Sequence, residues 1–183
     1  MTRPSMSHIR EVPNSVEVPA DGRILFFRRD RDTFFWLSHF HAAEIVIDGE
    51  SWPTVEHYFQ SRKSFDPEFH AAIRAYTHPG MVKRIAAAPH GSRKHSGQSW
   101  FRAHGRQYRE DWSEVELDVM RVADRAKFTQ HPALKALLLS TGKAVIIEDT
   151  TVDDFWGIGA DGQGLNWAGR ILMEIRDELQ KAG

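Results

Sequence analysis

Short runs of apolar residues in the chain predict a small amount of β-structure. Residues 24–27 and 144–147 are apolar runs bounded by polar residues, which is typical of short, buried strands. Residues 43–52 predict a β-hairpin, because Asp48-Gly49 lies between β-forming residues and this pair favours a two-residue turn. The predicted strands are few, and the remaining periodicity is helical.

Helical spacing of apolar residues predicts about six helices. One begins at Pro53 or is capped by Thr54, and it ends at Asp66-Pro67. The others cover residues 68–76, 80–88, 111–129, 132–139 and 165–180. Residues 89–107 and the glycine-rich residues 157–164 have no clear period and predict long loops.

The helix over residues 111–129 has the clearest pattern. Asp111 and Glu114 form a capping-box-like pair at its start. Its apolar stripe consists of Val115, Val119, Val122, Ala123 and Ala126. We therefore expect this helix to lie against the core along that stripe.

These elements predict an α+β fold that is predominantly α-helical, with a few short strands including the hairpin. The length of 183 residues suits a single compact domain, and 41% hydrophobic residues suffice for a core. Residues 1–21 carry three prolines and predict a flexible N-terminal tail before a domain over residues 22–183. No apolar run approaches the length of a membrane span and there is no cysteine, so we expect a cytoplasmic protein without disulfides or thiolate metal sites.

Charge is distributed unevenly along a chain whose net charge is only -1. Residues 69–109 contain no Asp or Glu but many Arg, Lys and His residues. Such a segment indicates an anionic ligand, such as phosphate or nucleic acid, or a solvated basic surface paired with acidic neighbours. The sequence alone leaves both interpretations open.

Glu56 and Lys63 are the first candidates for chemistry. On a helix they project within about 20° of each other, two turns apart, with Gln60 between them at the border of the apolar face. A carboxylate and an ammonium at such a border can face a cleft, where burial changes their pKa values. The alternative is a first-turn acid favoured by the helix dipole and a solvated lysine, and the pattern alone favours this alternative.

Other residue types suggest binding without settling it. Trp112 and Trp156 lie at element boundaries, where tryptophan either stacks on a base or fills the edge of a core. Glycines close to a helix start, such as Gly157 and Gly162, let backbone amides approach an anion. His39 and His41 either bind a metal or are surface residues, and no metal-ligand motif supports the first option. We expect no metal and no cofactor.

Four ordered blocks of sequence resemble one family, the YbiA-like or NADAR N-glycosidases. The first is residues 52–60 followed by Lys63, and the second is Asp111-Trp112 with Val119-Met120. The third is residues 126–128 with Gln130-His131. The fourth starts at Thr150 and continues through Asp153, residues 155–157, Gly162, Gly164, Asn166 and Gly169. An opening block over residues 34–40 also matches, although His39 occupies a position where the family usually has Asn. The resemblance covers residues 24–180.

The resemblance implies an enzyme that hydrolyses the N-glycosidic bond of phosphoribosylamino-pyrimidines, which are intermediates of riboflavin biosynthesis. The alternatives are removal of ADP-ribose from guanine bases in nucleic acid, and a non-catalytic ADP-ribose or nucleotide-binding module. By position in the motifs, the implied functional trio is Glu56, Trp112 and Asp153, and Lys63 matches a family lysine. The predicted partner is a small phosphoribosyl or ADP-ribosyl substrate, with nucleic acid as a further possibility. The predicted substrate-binding residues are Gln60, Trp112, Lys127, Trp156, Gly157, Gly162 and Asn166.

The implied chemistry assigns a role to each group. Breaking a ribosyl C–N bond builds positive charge on the sugar. A carboxylate can stabilise that charge, or it can activate the water that attacks the sugar. Glu56 is predicted in this role, with Asp153 as its partner and Trp112 stacked on the leaving base. Lys63 either orients the sugar or attacks its ring-opened form as a Schiff base. The basic stretch and the glycine loop are predicted to hold the phosphate.

Overall fold

The structure, a computed structural model, describes residues 13, 15–27, 33–87 and 99–182. Within these ranges it contains four strands, β1 to β4, and seven helices, α1 to α7. The strands are Arg23–Phe26, Ile45–Ile47, Glu50–Trp52 and Val145–Glu148. The helices are Val55–Ser61, Pro67–Ala75, Pro79–Ile85, Trp100–His104, Trp112–Gln130, Pro132–Ser140 and Trp167–Lys181. The predicted α+β, mainly helical class and the single compact domain are confirmed.

The four strands form two small sheets. Strands β1 and β4 pair in parallel, with Phe26 opposite Glu148, so the carboxyl ends of both strands lie at the same edge. Strands β2 and β3 form the predicted antiparallel hairpin. Asp48 and Gly49 both have positive φ angles, 53° and 78°, which is the backbone of the tight hairpin turn expected for this pair.

Helix α1 is shorter and more buried than the sequence predicts. Thr54 is its N-cap, and the Thr54 hydroxyl accepts a hydrogen bond from the His57 amide. Every residue from Val55 to Ser61 is buried, so the helix has no solvent face. It ends at Ser61 rather than at Asp66, because the Arg109 amide donates to the Lys63 carbonyl at 2.8 Å and draws the chain out of the helical path.

Helix α5 buries most of the predicted stripe, since Ala123 and Ala126 are buried and Val115 and Val119 pack against the core. Its buried residues are Trp112, Met120, Ala123, Asp124, Ala126, Lys127 and Phe128, whereas Val122 is 41% exposed. The predicted stripe is therefore wrong at Val122 and misses two buried charged residues. The capping box is also absent, because the Asp111 carboxylate forms an ion pair with Arg109 instead of capping the helix.

The segment predicted as a loop over residues 89–107 contains a helix. Residues 88–98 lie outside the described part of the chain, but α4 occupies Trp100–His104. Trp100 and Phe101 are buried against Phe69 of α2, with ring centroids 5.1 Å and 4.6 Å from its ring. Aromatic packing specifies this single-turn helix, and that contact has no signature in local periodicity.

Helix α7 packs closely on strand β4. A Cβ atom at Gly169 would overlap the carbonyl oxygen of Ile146. Glycine at this position therefore permits the close approach of helix and strand that buries Ile171, Leu172 and Ile175. Residues 13 and 15–21 of the predicted tail contain no helix or strand, and Val16 and Val18 contact the core. None of the helices in the described ranges is long and apolar enough to cross a membrane.

Candidate active site

Helix α1 carries a buried acid held by a neighbouring amide. Glu56 is 5% exposed, and its Oε1 accepts a hydrogen bond from Gln60 Nε2 at 2.9 Å. The Glu56 amide donates to the carbonyl of His39 at 3.1 Å. The carboxylate and the backbone amide of Glu56 are thus both held by hydrogen bonds. Gln60 Oε1 is buried without a hydrogen-bond partner in the described chain. Glu56 does lie in the first turn of α1, as the alternative interpretation has it, but its side chain is buried.

Lys63 lies in the turn that follows α1 and remains within the electrostatic reach of Glu56. Its Nζ lies 5.5 Å from the centroid of the Trp112 ring and 5.7 Å from that of Phe59. Burial lowers the pKa of Lys63 to about 8, although the negative charge of Glu56 opposes this shift. Lys63 is therefore not the solvated lysine of the alternative interpretation.

An aromatic wall adjoins these two charged groups. Phe59 packs edge-on against Trp112 and Trp156, at 4.9 Å and 5.3 Å between ring centroids. Trp112 is buried, whereas Trp156 is partly exposed. The structure therefore brings both predicted tryptophans to the Glu56 helix.

Asp153 has one engaged carboxylate oxygen and one that faces a cation. Its Oδ1 accepts hydrogen bonds from the amides of Phe155 and Trp156 at 3.2 Å and 2.9 Å. Its Oδ2 lies 4.0 Å from Nζ of Lys83, which is largely exposed. The hydrogen bonds to Oδ1 form a turn that sets the position of Trp156. Oδ2, on the side of Lys83, is available to accept a hydrogen bond from a ligand.

His39 and His41 are buried, so the prediction of surface histidines is wrong. His39 Nε2 lies 3.1 Å from Asp124 Oδ2, and the His39 ring packs edge-on against Trp156. Burial disfavours a charged imidazole, but the Asp124 carboxylate outweighs burial and raises the pKa of His39. Burial lowers the pKa of His41 to about 3. Among the described residues, no three His, Asp or Glu side chains form a group that holds a metal.

Lys127 lies beneath the site and is fully buried. Its Nζ donates to the carbonyl of Ser38 at 2.9 Å and approaches that of Leu37 at 3.4 Å. Burial lowers the pKa of Lys127 to about 8, against the pull of Asp124. These contacts hold the His39 segment in place, and the substrate contact predicted for Lys127 stays a prediction.

Backbone carbonyls in and before the glycine loop accept hydrogen bonds from the amides at the start of α7. The amides of Trp167 and Ala168 donate to the carbonyls of Phe155 and Trp156, both at 3.1 Å. The Asn166 amide likewise donates to the Gly157 carbonyl at 3.0 Å. These three amides are therefore engaged within the protein, and the phosphate contact predicted for the glycine loop stays a prediction.

The remaining predicted loop residues have structural contacts. A Cβ atom at Gly157 would overlap the Thr150 side chain, so this glycine allows the loop to pack on the end of β4. The Asn166 side chain bridges to the same strand, accepting from the Glu148 amide and donating to the Ile146 carbonyl, both at 2.9 Å. Gly162 has a φ of 73° and is exposed. Their contacts to substrate stay predictions.

The basic stretch is extensively paired with acids. Arg74 binds Glu50, Arg106 binds Glu68 and Arg109 binds Asp111. This supports the interpretation of a paired surface at these positions. Lys83 differs because it approaches Asp153 of the site. A cavity of about 580 Å³ lies between the turn after α1 and the α4–α5 connection, lined by residues 64–66 and 105–111, and neither Lys63 nor Trp112 is among its lining residues.

Glu148 is a candidate that the sequence analysis missed. It is the last residue of β4, and its Oε2 is buried without a hydrogen-bond partner in the described chain. Burial raises the pKa of Glu148 to about 7. The sequence signal was its place at the carboxyl end of a predicted buried strand, where ligands commonly bind in open sheets.

Glu56, Lys63 and the aromatic wall come from the first, second and fourth of the sequence blocks described above. A model of the NADAR domain matches residues 25–180. The chain belongs to the NADAR family. The N-glycosidase YbiA of Escherichia coli is 38% identical to this NADAR chain over 156 residues, which are 85% of this chain and 88% of the relative. An N-glycosidase of Nostoc punctiforme is 34% identical, covering 85% of this chain and 92% of the relative.

Two further comparisons extend the assignment. A riboflavin biosynthesis protein of Vibrio vulnificus is 35% identical over 86% of this chain and 39% of the relative. The NMR structure of E. coli YbiA matches with a TM-score of 0.70 and 36% identity, covering 87% of this chain and 86% of that structure. The predicted NADAR family, YbiA-like fold and glycosidase class of enzyme are thereby confirmed.

Proposed function

We propose that this NADAR protein hydrolyses the N-glycosidic bond of phosphoribosylamino-pyrimidines. The observation that carries the proposal is the buried Glu56 carboxylate, which is oriented by Gln60 and lies within electrostatic reach of Lys63 beside Trp112. A buried acid and a partly buried amine next to an aromatic surface suit a substrate with a charged sugar and a planar base. The names of the relatives from E. coli and V. vulnificus support the same reaction and pathway.

Glu56 acts where positive charge develops. As the C–N bond lengthens, C1 of the ribose becomes electron-poor, and a carboxylate held in a water-poor site stabilises that charge strongly. The hydrogen bond from Gln60 fixes the orientation of Glu56 before substrate arrives. Glu56 then accepts a proton from the water that completes the hydrolysis.

The other residues position the substrate. Trp112 and Trp156 present aromatic surface to the leaving pyrimidine, and Phe59 between them fixes their separation. Asp153 Oδ2 is a hydrogen-bond acceptor for a sugar hydroxyl. Lys83 Nζ lies 4.0 Å from that oxygen, and this largely exposed cation of the basic stretch is available for the 5′-phosphate.

A product assay with two substrate classes tests the proposal. We expect wild-type protein to release the aminopyrimidine from a phosphoribosylamino-pyrimidine, and to leave ADP-ribosyl-guanine in single-stranded DNA intact. Chromatography of both reactions over time measures this. Glu56→Gln protein, prepared in parallel, reports any contaminating glycosidase. Release of ADP-ribose from DNA without release of pyrimidine would establish the alternative activity, and binding of either compound without product would indicate a non-catalytic module.

Lys63 is expected to form a covalent intermediate with the sugar. A pKa of about 8 leaves roughly a tenth of its amine neutral at pH 7, far more than for an exposed lysine. The neutral amine adds to C1 of the ring-opened substrate, the C1–N bond to the base breaks as the departing amine takes up a proton, and water hydrolyses the resulting Schiff base, which frees Lys63. Borohydride added during turnover should attach the sugar phosphate to Lys63, as peptide mass spectrometry would show, and should do so increasingly between pH 6 and 8.

The Lys63→Arg variant is the matched control for trapping, since it keeps the charge but has no nucleophilic amine. It should give no adduct at this position. Undiminished turnover of wild-type protein without any adduct would instead assign Lys63 the role of orienting the sugar as a cation.

A further inference from the structure

The backbone of Glu148 is fixed from three directions. Its amide donates to the Asn166 side chain at 2.9 Å, and its carbonyl accepts from Ile158 and Thr150 at 3.1 Å and 3.0 Å. Gly157 permits this packing, because a Cβ atom there would lie 2.6 Å from the Glu148 carbonyl oxygen. The end of β4 is therefore a rigid platform next to the loop that carries Asp153.

The side chain of Glu148 is surrounded by charged groups from four segments. Its ionisation is favoured by His39, on the segment before β2, and by Lys83 of α3. It is opposed by Asp153 of the following loop and by Glu56 of α1. Yet Oε2 is buried and accepts no hydrogen bond from any of these groups or from other described residues. A buried carboxyl oxygen without a donor is costly when ionised and is readily accommodated when it carries a proton.

The balance of these effects leaves roughly half of the Glu148 side chains protonated at neutral pH. Burial is the largest cause and raises the pKa of Glu148 to about 7, with Asp153 and Glu56 adding to the rise while His39 and Lys83 oppose it. This carboxyl thus lies near two other acids and carries a proton in a substantial fraction of molecules at neutral pH. Two carboxyl groups in different environments are a common basis for dividing acid and base roles.

We propose that Glu148 is the general acid that protonates the departing nitrogen. The inference rests on the proposed N-glycosidase reaction. The C1–N bond breaks, its electron pair passes to the nitrogen, and that nitrogen takes the proton from the Glu148 carboxyl group. Water then adds to C1 and releases Lys63, Glu56 takes the proton of that water, and exchange with solvent returns the proton from Glu56 to Glu148. Without this proton the aminopyrimidine would have to leave as an anion, which is a poor leaving group.

The test compares the dependence of kcat on pH for wild type, Glu148→Gln and Glu148→Asp with a phosphoribosylamino-pyrimidine. Wild-type kcat should contain a limb that falls as pH rises, because only the protonated carboxyl donates. Glu148→Gln should lower kcat about a hundredfold or more with little change in KM, and should lose that limb. Glu148→Asp should recover part of the activity and keep the limb, since it retains an acid.

Two comparisons keep structural and catalytic roles apart. Melting curves at pH 6 should show Glu148→Gln folded, because glutamine resembles the protonated acid in shape and charge. Glu116→Gln is the matched control: Glu116 is also partly buried, its pKa is raised mainly by burial, and it interacts with Lys63. This variant should retain the falling limb.

The outcomes separate the two proposals. Wild-type protein that releases no pyrimidine refutes the proposed function, and the role of Glu148 falls with it. Active wild-type protein together with a Glu148→Gln variant of similar kcat, or one that keeps the falling limb, refutes the role of Glu148 alone. If the Glu148→Gln protein does not fold, the Glu148→Asp variant decides the question. Loss of the falling limb in its pH profile would then refute the role of Glu148.

Discussion

Glu56→Gln should lower kcat for a phosphoribosylamino-pyrimidine by about a thousandfold while leaving the protein folded. The change removes the negative charge that stabilises the ribosyl cation, and charge stabilisation and proton transfer each contribute about 10²- to 10⁴-fold in enzymes. Glutamine keeps the size of the side chain, and its amide oxygen can still accept the hydrogen bond from Gln60. Steady-state kinetics and a thermal melt of the same preparation measure both effects.

The matched control for this prediction is Glu178→Gln. Glu178 lies on α7 in a surface ion pair with Arg125, so the same chemical change is made away from the site. Its kcat should equal that of wild type, and its melting temperature should change little, because exposed ion pairs contribute only about 0–1 kcal/mol. Near-normal turnover by Glu56→Gln would remove Glu56 from the mechanism.

Gly169→Ala should destabilise the fold by about 3 kcal/mol or more. The added methyl group would overlap the Ile146 carbonyl oxygen and come within 2.6 Å of the Asn166 amide nitrogen. Neither obstacle can rotate away, because the carbonyl belongs to β4 and the Asn166 amide is hydrogen bonded to that strand. Overpacking of a rigid interior typically costs about 1–3 kcal/mol, and a backbone collision lies at the upper end. Urea unfolding at constant pH measures the change.

Gly80→Ala provides the control for the substitution itself. Gly80 lies in α3, and a Cβ atom there would meet the His78 side chain at 3.0 Å, which can rotate away if it gives up its N-cap hydrogen bond from the Gly80 amide, at a cost of about 1 kcal/mol. Alanine also has the higher helix propensity, so the free energy of unfolding should stay within about 1 kcal/mol of wild type. A Gly169→Ala protein as stable as wild type would mean that α7 and β4 separate without cost.

Local sequence signals predicted the elements that depend on local interactions. The hairpin was predicted from Asp48-Gly49, whose positive φ angles are a property of the turn itself. Helix starts at prolines were also readable, because Pro67 and Pro132 occupy the first turn of α2 and α6. These features need no knowledge of distant residues.

Errors arose where distant residues decide the local structure. Helix α1 ends early because of a hydrogen bond from Arg109 to the Lys63 carbonyl. Helix α4 exists because Trp100 and Phe101 pack on Phe69. Lys127 is buried because two carbonyls of another segment accept hydrogen bonds from its ammonium group. None of these partners is close in sequence, so periodicity could not report them.

The candidate site was predicted in part. Motif resemblance selected Glu56, Lys63 and Trp112, and the structure brings these three together around Phe59. It did not select Glu148, because the raised pKa of that residue depends on burial and on carboxylates contributed by other segments. The hydrogen bonds between carbonyls of the glycine loop and the amides that begin α7 could not be inferred from the sequence.

The parallel pairing of β1 with β4 has a consequence for the order of folding. Arg23 and Val145 are partners in this sheet although they lie near opposite ends of the domain, so the contact closes a very long loop. Contacts of this kind form late, because the entropy of closing the loop is lost before the contact is gained. A chain that has formed α1 and the hairpin but not this sheet holds Glu56 without the Glu148 platform. Enzymatic activity should therefore belong only to the fully folded chain.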